Sequence, residues 1–239
     1  MRYKIITAEE AASYINHNDN VGFSGFTASG SPKVIPMAIA QKAESEHAAG
    51  RPFQIGMFTG ASTSDRLDGA LARANAIKFR TPYQSCGDMR SAINKGTVPF
   101  FDLHLSEVAP KLRNNALGHV DIAIIEASHI TDDGKIYLGT GVGIAPTVCN
   151  MAKKIIIELN HHLPKDLIGF HDIYEPLDPP YRREVPIYKP NDRIGTPYVQ
   201  VDPEKIIGIV ETDLPDGLKD FDTLNEVTMK IGKNVSDFL

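Results

Sequence analysis

Three short stretches of this chain set glycines among hydroxyl side chains: SGFTASG (24–30), TGASTS (59–64) and GTGVG (139–143). Glycine lets backbone amides come close to a ligand, and a row of amides near a helix start attracts an anionic oxygen. A carboxylate, a phosphate or a thioester oxygen would each suit such loops. Neither SGFTASG nor GTGVG has the dinucleotide G-x-G-x-x-G spacing followed by an acidic residue, and the chain has no G-x-x-x-x-G-K-[ST] phosphate loop. The competing reading is that these glycines serve only tight turns.

Other side chains offer less. Glu126 ends the run VDIAIIE, where a carboxylate at a strand terminus could act as nucleophile or base; a structural hydrogen-bonding role is the expectation. His161, His162 and His171 lie close in sequence but lack metal-ligand spacing, so no metal site is expected. Ser62 and Ser64 have no G-x-S-x-G elbow around them, which disfavours a hydrolase triad. Cys86 and Cys149 are too few for a disulfide framework and are expected to be reduced and structural.

The loops need elements to hold them. Thr7-Ala-Glu-Glu10 has the pattern of a capping box ahead of the short helix AASYIN. NVGFSG (20–25) reads as a strand, and Ser31-Pro32 offers an N-cap and first-turn proline for a helix through VIPMAIAQKAESEH, whose start Pro36 should disturb or delay. FQIGMFTG (53–60), the loop ASTSDRLDG and the helical LDGALARANA repeat that order. IKFR (77–80), SAIN (91–94) and SEVAPKLRNN (106–115) suggest a strand, a short helix and a helix with an internal proline. VDIAIIEAS (120–128) is nearly all apolar, as expected of a central strand covered on both faces. After an Asp-Asp-Gly turn (132–134), residues 136–160 give short strand, glycine loop, helix and strand.

Residues 1–160 are therefore expected to form an α/β core: a mostly parallel sheet with helices on both faces and ligands beyond the carboxyl ends of its strands. Residues 161–204 carry half of the sixteen prolines and are expected to be an ordered, irregular excursion. Residues 205–239 return to a strand, KIIGIVETD, and close on an amphipathic helix. Its apolar positions Leu224, Val227, Ile231, Val235 and Phe238 need a partner.

Composition bounds the partners. A net charge of −5 with mixed signs argues against nucleic acid, which needs a concentrated basic patch. No apolar run reaches the roughly 18 residues of a membrane span, and the N-terminal MRYKIITAEEAASYINHNDN lacks the apolar core of a signal peptide. A cytoplasmic location is expected.

GFSGFTASGSPKVIP, FTGASTSDRLDGALARANAIKFRTPY, NKGTVPFFDLHLSEVA, IIEASHITDDGKIY and PNDRIGTPYVQVDPEKIIGIVETD together resemble the N-terminal part of the acetyl-CoA hydrolase/transferase family, nearest its succinyl-CoA:acetate CoA-transferase branch. The resemblance implies a CoA-transferase-like fold, shared in architecture with sugar-phosphate isomerases. It also implies a class I CoA-transferase chemistry, in which coenzyme A passes from an acyl-CoA such as succinyl-CoA or acetyl-CoA to acetate or succinate through a glutamyl-CoA thioester. Coenzyme A is a substrate there and no cofactor is implied. Gly60-Ala61-Ser62 matches the family's GAS loop, so Ser62 is the first candidate for orienting a carboxylate; Ser24, Gly25, Phe26 and Thr27 are the second, as a pocket wall.

The chain departs from the family pattern in one respect. In relatives the nucleophilic glutamate and a GNxxG loop follow a segment like IGKNVSDFL, whereas here the sequence stops at Leu239. The C-terminal catalytic domain is expected to be absent and the nucleophile to lie outside the chain. The expected partners are the missing half or a second subunit, with homo-oligomers. A non-catalytic acyl-CoA-binding or partner subunit is the alternative, and sugar-phosphate isomerase activity is a third reading resting on fold analogy alone.

Overall fold

A computed structural model describes residues 2–61, 63–217 and 221–239. Ser62, the first candidate site residue, thus lies outside the described residues. Six parallel strands form the main sheet: β1 (Asn20–Phe23), β2 (Ile55–Phe58), β3 (Ile77–Thr81), β4 (Val120–Ile130), β6 (Ala152–Asn160) and β8 (Ile206–Thr212). Their order is β3-β2-β1-β4-β6-β8. The chain winds outward from β1 to β3, then starts again on the other side of β1, so the winding reverses between β1 and β4.

β4 is the strand its apolar run implies, eleven residues long and buried through Ala127 apart from Asp121. Its side chains alternate across the sheet: Ile122 and Ile124 enter one core, Ala123 and Ile125 the other. Burial on both faces removes the need for a polar face, and each isoleucine sealed there contributes about 2–3 kcal/mol. α1 (Ala8–Ser13), α2 (Ile35–Ala48), α3 (Ala70–Arg73) and α4 (Gly87–Asn94) cover the first face, while α5 (Leu105–Arg113) and α6 (Ala145–Met151) cover the second.

The sheet is not wholly parallel. Beyond Glu126, β4 continues past the end of β1 and pairs antiparallel with β5 (Lys135–Leu138), which pairs antiparallel with β7 (Val199–Gln200). The Asp-Asp-Gly turn makes this a hairpin. Between residues 161 and 198 the only helix-like element among the described residues is a three-residue turn, Lys165–Leu167.

Two helix starts differ from expectation. Thr7 caps α1 by accepting from the Glu10 amide at 3.1 Å, but the Glu10 carboxylate turns to Lys4 and to the Tyr14 hydroxyl rather than completing a box. α2 begins at Ile35, four residues after Ser31, with Pro36 in its first turn. Its cap is a distant one: the buried Glu158 carboxylate on β6 accepts from the amides of Lys33, Val34 and Ile35. A carboxylate fits there because those amides have no partner within the helix and carry partial positive charge.

Candidate functional site

All three glycine loops meet at the carboxyl edge of the sheet, beside the reversal between β1 and β4. The Thr27 amide donates to the Ala61 carbonyl and the Thr63 amide to the Thr27 carbonyl, each at 2.9 Å, which ties 24–30 to 59–64. Contact between 24–30 and 139–143 is backbone against backbone. A Cβ on Gly141 would lie 2.5 Å from the Ser29 oxygen, and one on Gly143 would lie 2.2 Å from the Gly25 oxygen. Only glycine lets those chains approach so closely.

The sequence candidates occupy different depths. The Ser24 hydroxyl is buried; it donates to the Gly30 carbonyl and accepts from the Glu126 amide, both at 2.8 Å, so it braces the loop and links β1 to β4. Gly25 and Gly60 shape the turns, with φ of 108° and 57°. Phe26, Thr27 and Ala61 reach a cleft of about 610 Å³. Its opposite wall comes from Pro82 and Tyr83, just after β3, and from residues 102–105 and Glu107 at the start of α5. Tyr83 and Leu105 are exposed there, and the lining is mainly apolar with Asp102, His104 and Glu107 as its carboxyl and imidazole groups.

The residues that sequence reading missed lie beneath the loops. Lys33, buried, ion-pairs with Glu126 and lies 3.2 Å from Asp216. Glu126 also accepts from Asn160 at 2.7 Å, while its Oε2 is buried without a partner among the described residues. Burial pushes the Glu126 carboxyl up to about 7, opposed by Lys33 and Asn160. Asp216 in turn accepts from the Gly30 amide at 2.9 Å and from the Thr140 hydroxyl, pinning the first and third loops together. Glu126 thus sits under the loops and does not line the cleft, in keeping with a structural role.

A second buried pair supports the far wall. Asp68 and Arg80 are both sealed from solvent, and Asp68 Oδ1 accepts from Arg80 Nε at 2.8 Å and from Gln84 at 2.7 Å. Gln84 follows Tyr83, so the pair holds the segment that closes the cleft. Ser64, whose hydroxyl accepts from the Leu67 amide at 3.1 Å, caps a π-helical turn (Asp65–Gly69) that carries Asp68. His161 and His162 pair with Glu211 and Asp213, and His171 meets the Gly139 carbonyl at 2.7 Å. Among the described residues no three metal-ligating side chains converge.

Parallel strands wound in two directions, with glycine loops and an apolar cleft at the reversal, define an α/β protein of the class that binds ligands beyond the carboxyl ends of its strands. Solved structures share the architecture. RipA from Yersinia pestis superposes with a TM-score of 0.66 at 18% identity, over 98% of this chain and 48% of that one. Glutaconate coenzyme A-transferase from Acidaminococcus fermentans does so at 0.60 and 15% identity, over 98% and 84%. Residues 1–211 match the acetyl-CoA hydrolase/transferase N-terminal domain, and the chain belongs to that family. It is 48% identical to the propanoyl-CoA:succinate CoA transferase of Escherichia coli over 98% of this chain and 48% of that relative. Against the succinyl-CoA:acetate CoA-transferase of Clostridium kluyveri it is 39% identical over 100% and 44%. The chain spans about half the length of the curated relatives it matches.

Proposed function

We propose that this chain supplies the N-terminal, carboxylate-side half of a CoA-transferase. It would move coenzyme A between an acyl-CoA, succinyl-CoA or acetyl-CoA, and a short acid, acetate or succinate. The carrying observation is the cleft of about 610 Å³ where the 24–27 loop and Ala61 of the GAS turn face Pro82 and Tyr83.

In the proposed reaction a glutamate carboxylate attacks the thioester carbonyl, expels the coenzyme A thiolate and leaves a mixed anhydride. The thiolate then attacks the glutamyl carbonyl and releases the first acid as its carboxylate; the acceptor acid runs both steps backwards. This chain's part is to hold the short acid in a mainly apolar cleft and to keep water from the anhydride. Ser62 is the proposed orienting hydroxyl, because its neighbours Ala61 and Thr63 are tied to Thr27 beside the cleft. Phe26 and Thr27 are proposed as the wall, with Ser24 and Gly25 bracing it. The nucleophilic glutamate is proposed to lie outside these 239 residues, on a further half or a second subunit in a homo-oligomer.

Intact mass after mixing the chain with succinyl-CoA tests this reading. No CoA-sized adduct is expected. Glu107 is the one glutamate in the cleft wall among the described residues. An adduct abolished by Glu107→Gln would place the nucleophile in this chain and overturn the half-site reading.

A further inference from the structure

The segment that follows β8, residues 213–217, crosses the glycine loops as a strap, and two bonded paths join it to the buried Glu126. Along the first, Asn160 Nδ2 at the end of β6 donates to the Glu126 carboxylate at 2.7 Å and to the Leu214 carbonyl at 2.8 Å, while the Leu214 amide donates back to Asn160 Oδ1 at 3.2 Å. Along the second, Lys33 pairs with Glu126 and lies 3.2 Å from Asp216. The strap is thereby held at Leu214 and again at Asp216.

Asp216 in turn grips two loops at once. Its carboxylate accepts from the Gly30 amide at 2.9 Å and from the Thr140 hydroxyl. Gly30 is the base of the first loop: the Ser24 hydroxyl holds its carbonyl, and the Phe26 and Ser29 amides close the turn above it on each other's carbonyls, at 2.9 and 3.2 Å. Phe26 and Thr27 reach the cleft from that turn. A Cβ on Gly217 would lie 2.6 Å from the Ala28 Cβ, yet a cavity of about 290 Å³ opens between Ala28 and Ser31 on the loop side and Pro215 and Gly217 on the strap. The bonds of Asp216, not a continuous packed face, therefore join strap to loop.

We propose that Asp216 is a positioning residue for the cleft: from the strap it clamps the bases of loops 24–30 and 139–143, and so holds Phe26 and Thr27 in the wall that meets the acid. The inference rests on the short-acid reading of that cleft. Charge makes the clamp separable from the fold. Without the Asp216 carboxylate, Lys33 keeps Glu126, so no buried charge is stranded and the sheet should survive. What is lost is the tie between strap and loops.

Amide exchange and acetate titration, both followed by NMR on the whole chain, test this. The informative amide is that of Thr27, whose hydrogen bond to the Ala61 carbonyl does not involve Asp216. In Asp216→Ala its exchange should quicken about tenfold or more and acetate affinity should fall about tenfold, while the amides of β4 exchange as before. Asp216→Asn keeps an oxygen for the Gly30 amide and should restore most of both. Thr140→Val removes one bond at an exposed side chain and should give changes of about threefold; it carries the test if Asp216→Ala fails to fold. Because clamping and binding are linked, bound acetate should also slow exchange of the Leu214 amide on the strap. A Thr27 amide unmoved in both variants, acetate bound as tightly by both as by wild type, or a Leu214 amide indifferent to bound acetate would overturn the proposal. A wild-type chain that takes no acetate, with Thr27 still loosened in the variants, would instead remove the short-acid reading of the cleft and leave the clamp standing.

Discussion

The ammonium of Lys33 lies against the carboxylate of Glu126, with both side chains almost wholly withdrawn from solvent. Removing one partner of such a pair leaves an uncompensated buried charge, at a cost of about 3–5 kcal/mol. Burial nevertheless dominates and lifts Glu126 from 4.5 to about 7. A carboxyl raised by folding contributes stability that is complete below its unfolded value and is lost as pH climbs through its folded value. Stability from this group should therefore fall between about pH 4.5 and 7, by about 3 kcal/mol. Urea unfolding across that range should show the decline. Glu126→Gln should reduce it, leaving what Glu158 contributes, since burial raises that carboxyl too; an unchanged slope would assign the pH dependence elsewhere.

Glu158 gives a second prediction. Its carboxylate takes three amide hydrogen bonds at the start of α2. Glu158→Gln keeps one acceptor oxygen and should cost about 1–2 kcal/mol, and Glu158→Ala about 3–4 kcal/mol, in denaturant midpoints. Equal losses in the two variants would mean that packing, not capping, is the role of this side chain.

Asp68 and Arg80 predict a coupled loss of stability and binding. Asp68→Ala leaves the fully buried guanidinium without this carboxylate and should destabilise the fold by about 3–5 kcal/mol. Because Asp68 also holds Gln84 next to Tyr83, ligand binding in the cleft should weaken in Asp68→Asn even where folding survives. Tyr83 fluorescence or ligand titration that matches wild type would separate the pair from the cleft wall.

Much of the fold was legible because its signals are local. The apolar run 120–127 announced a strand covered on both faces, and glycines at strand exits marked the loops that meet at one edge. What stayed hidden depends on distant pairing. Lys33 meets Glu126 across 93 positions and Glu158 caps Lys33 across 125, so no window along the chain could join them. Ser31 reads as a cap by type and place, yet Pro36 delays the helix and a carboxylate from β6 takes over. The antiparallel β4–β5 hairpin was half legible, in its Asp-Asp-Gly turn, but its pairing beyond the end of β1 was not.

Gly141→Ala should report on loop contact directly. The added methyl would sit 2.5 Å from the Ser29 oxygen and 2.8 Å from the Phe26 nitrogen, so the backbones must part. Phe26 lines the cleft, and a shift of its loop should weaken ligand binding about tenfold or more, with a stability loss of about 1–3 kcal/mol. Gly232→Ala, where an added methyl meets nothing, is the matched control and should leave both unchanged.

The last helix, α7 (Glu226–Phe238), is exposed along its whole length. Asn225 and Thr228 cap it with reciprocal bonds, and Lys230 and Lys233 pair with Glu226 and Asp237 one turn away. Caps and pairs of that kind contribute about 1 kcal/mol and a few tenths, and a helix of this length is marginal alone in water. Its stripe of Val227, Ile231 and Val235 is more than half exposed at each position, which is the part of the helix that burial would stabilise. Deleting residues 221–239 should therefore leave the unfolding free energy of the sheet unchanged while reducing self-association in sedimentation velocity. Ile231→Asp should lower association as far as the deletion does. If association is untouched by either change, the stripe is not the surface through which copies of this chain meet; if the deletion unfolds the sheet, α7 carries contacts that its exposure does not reveal.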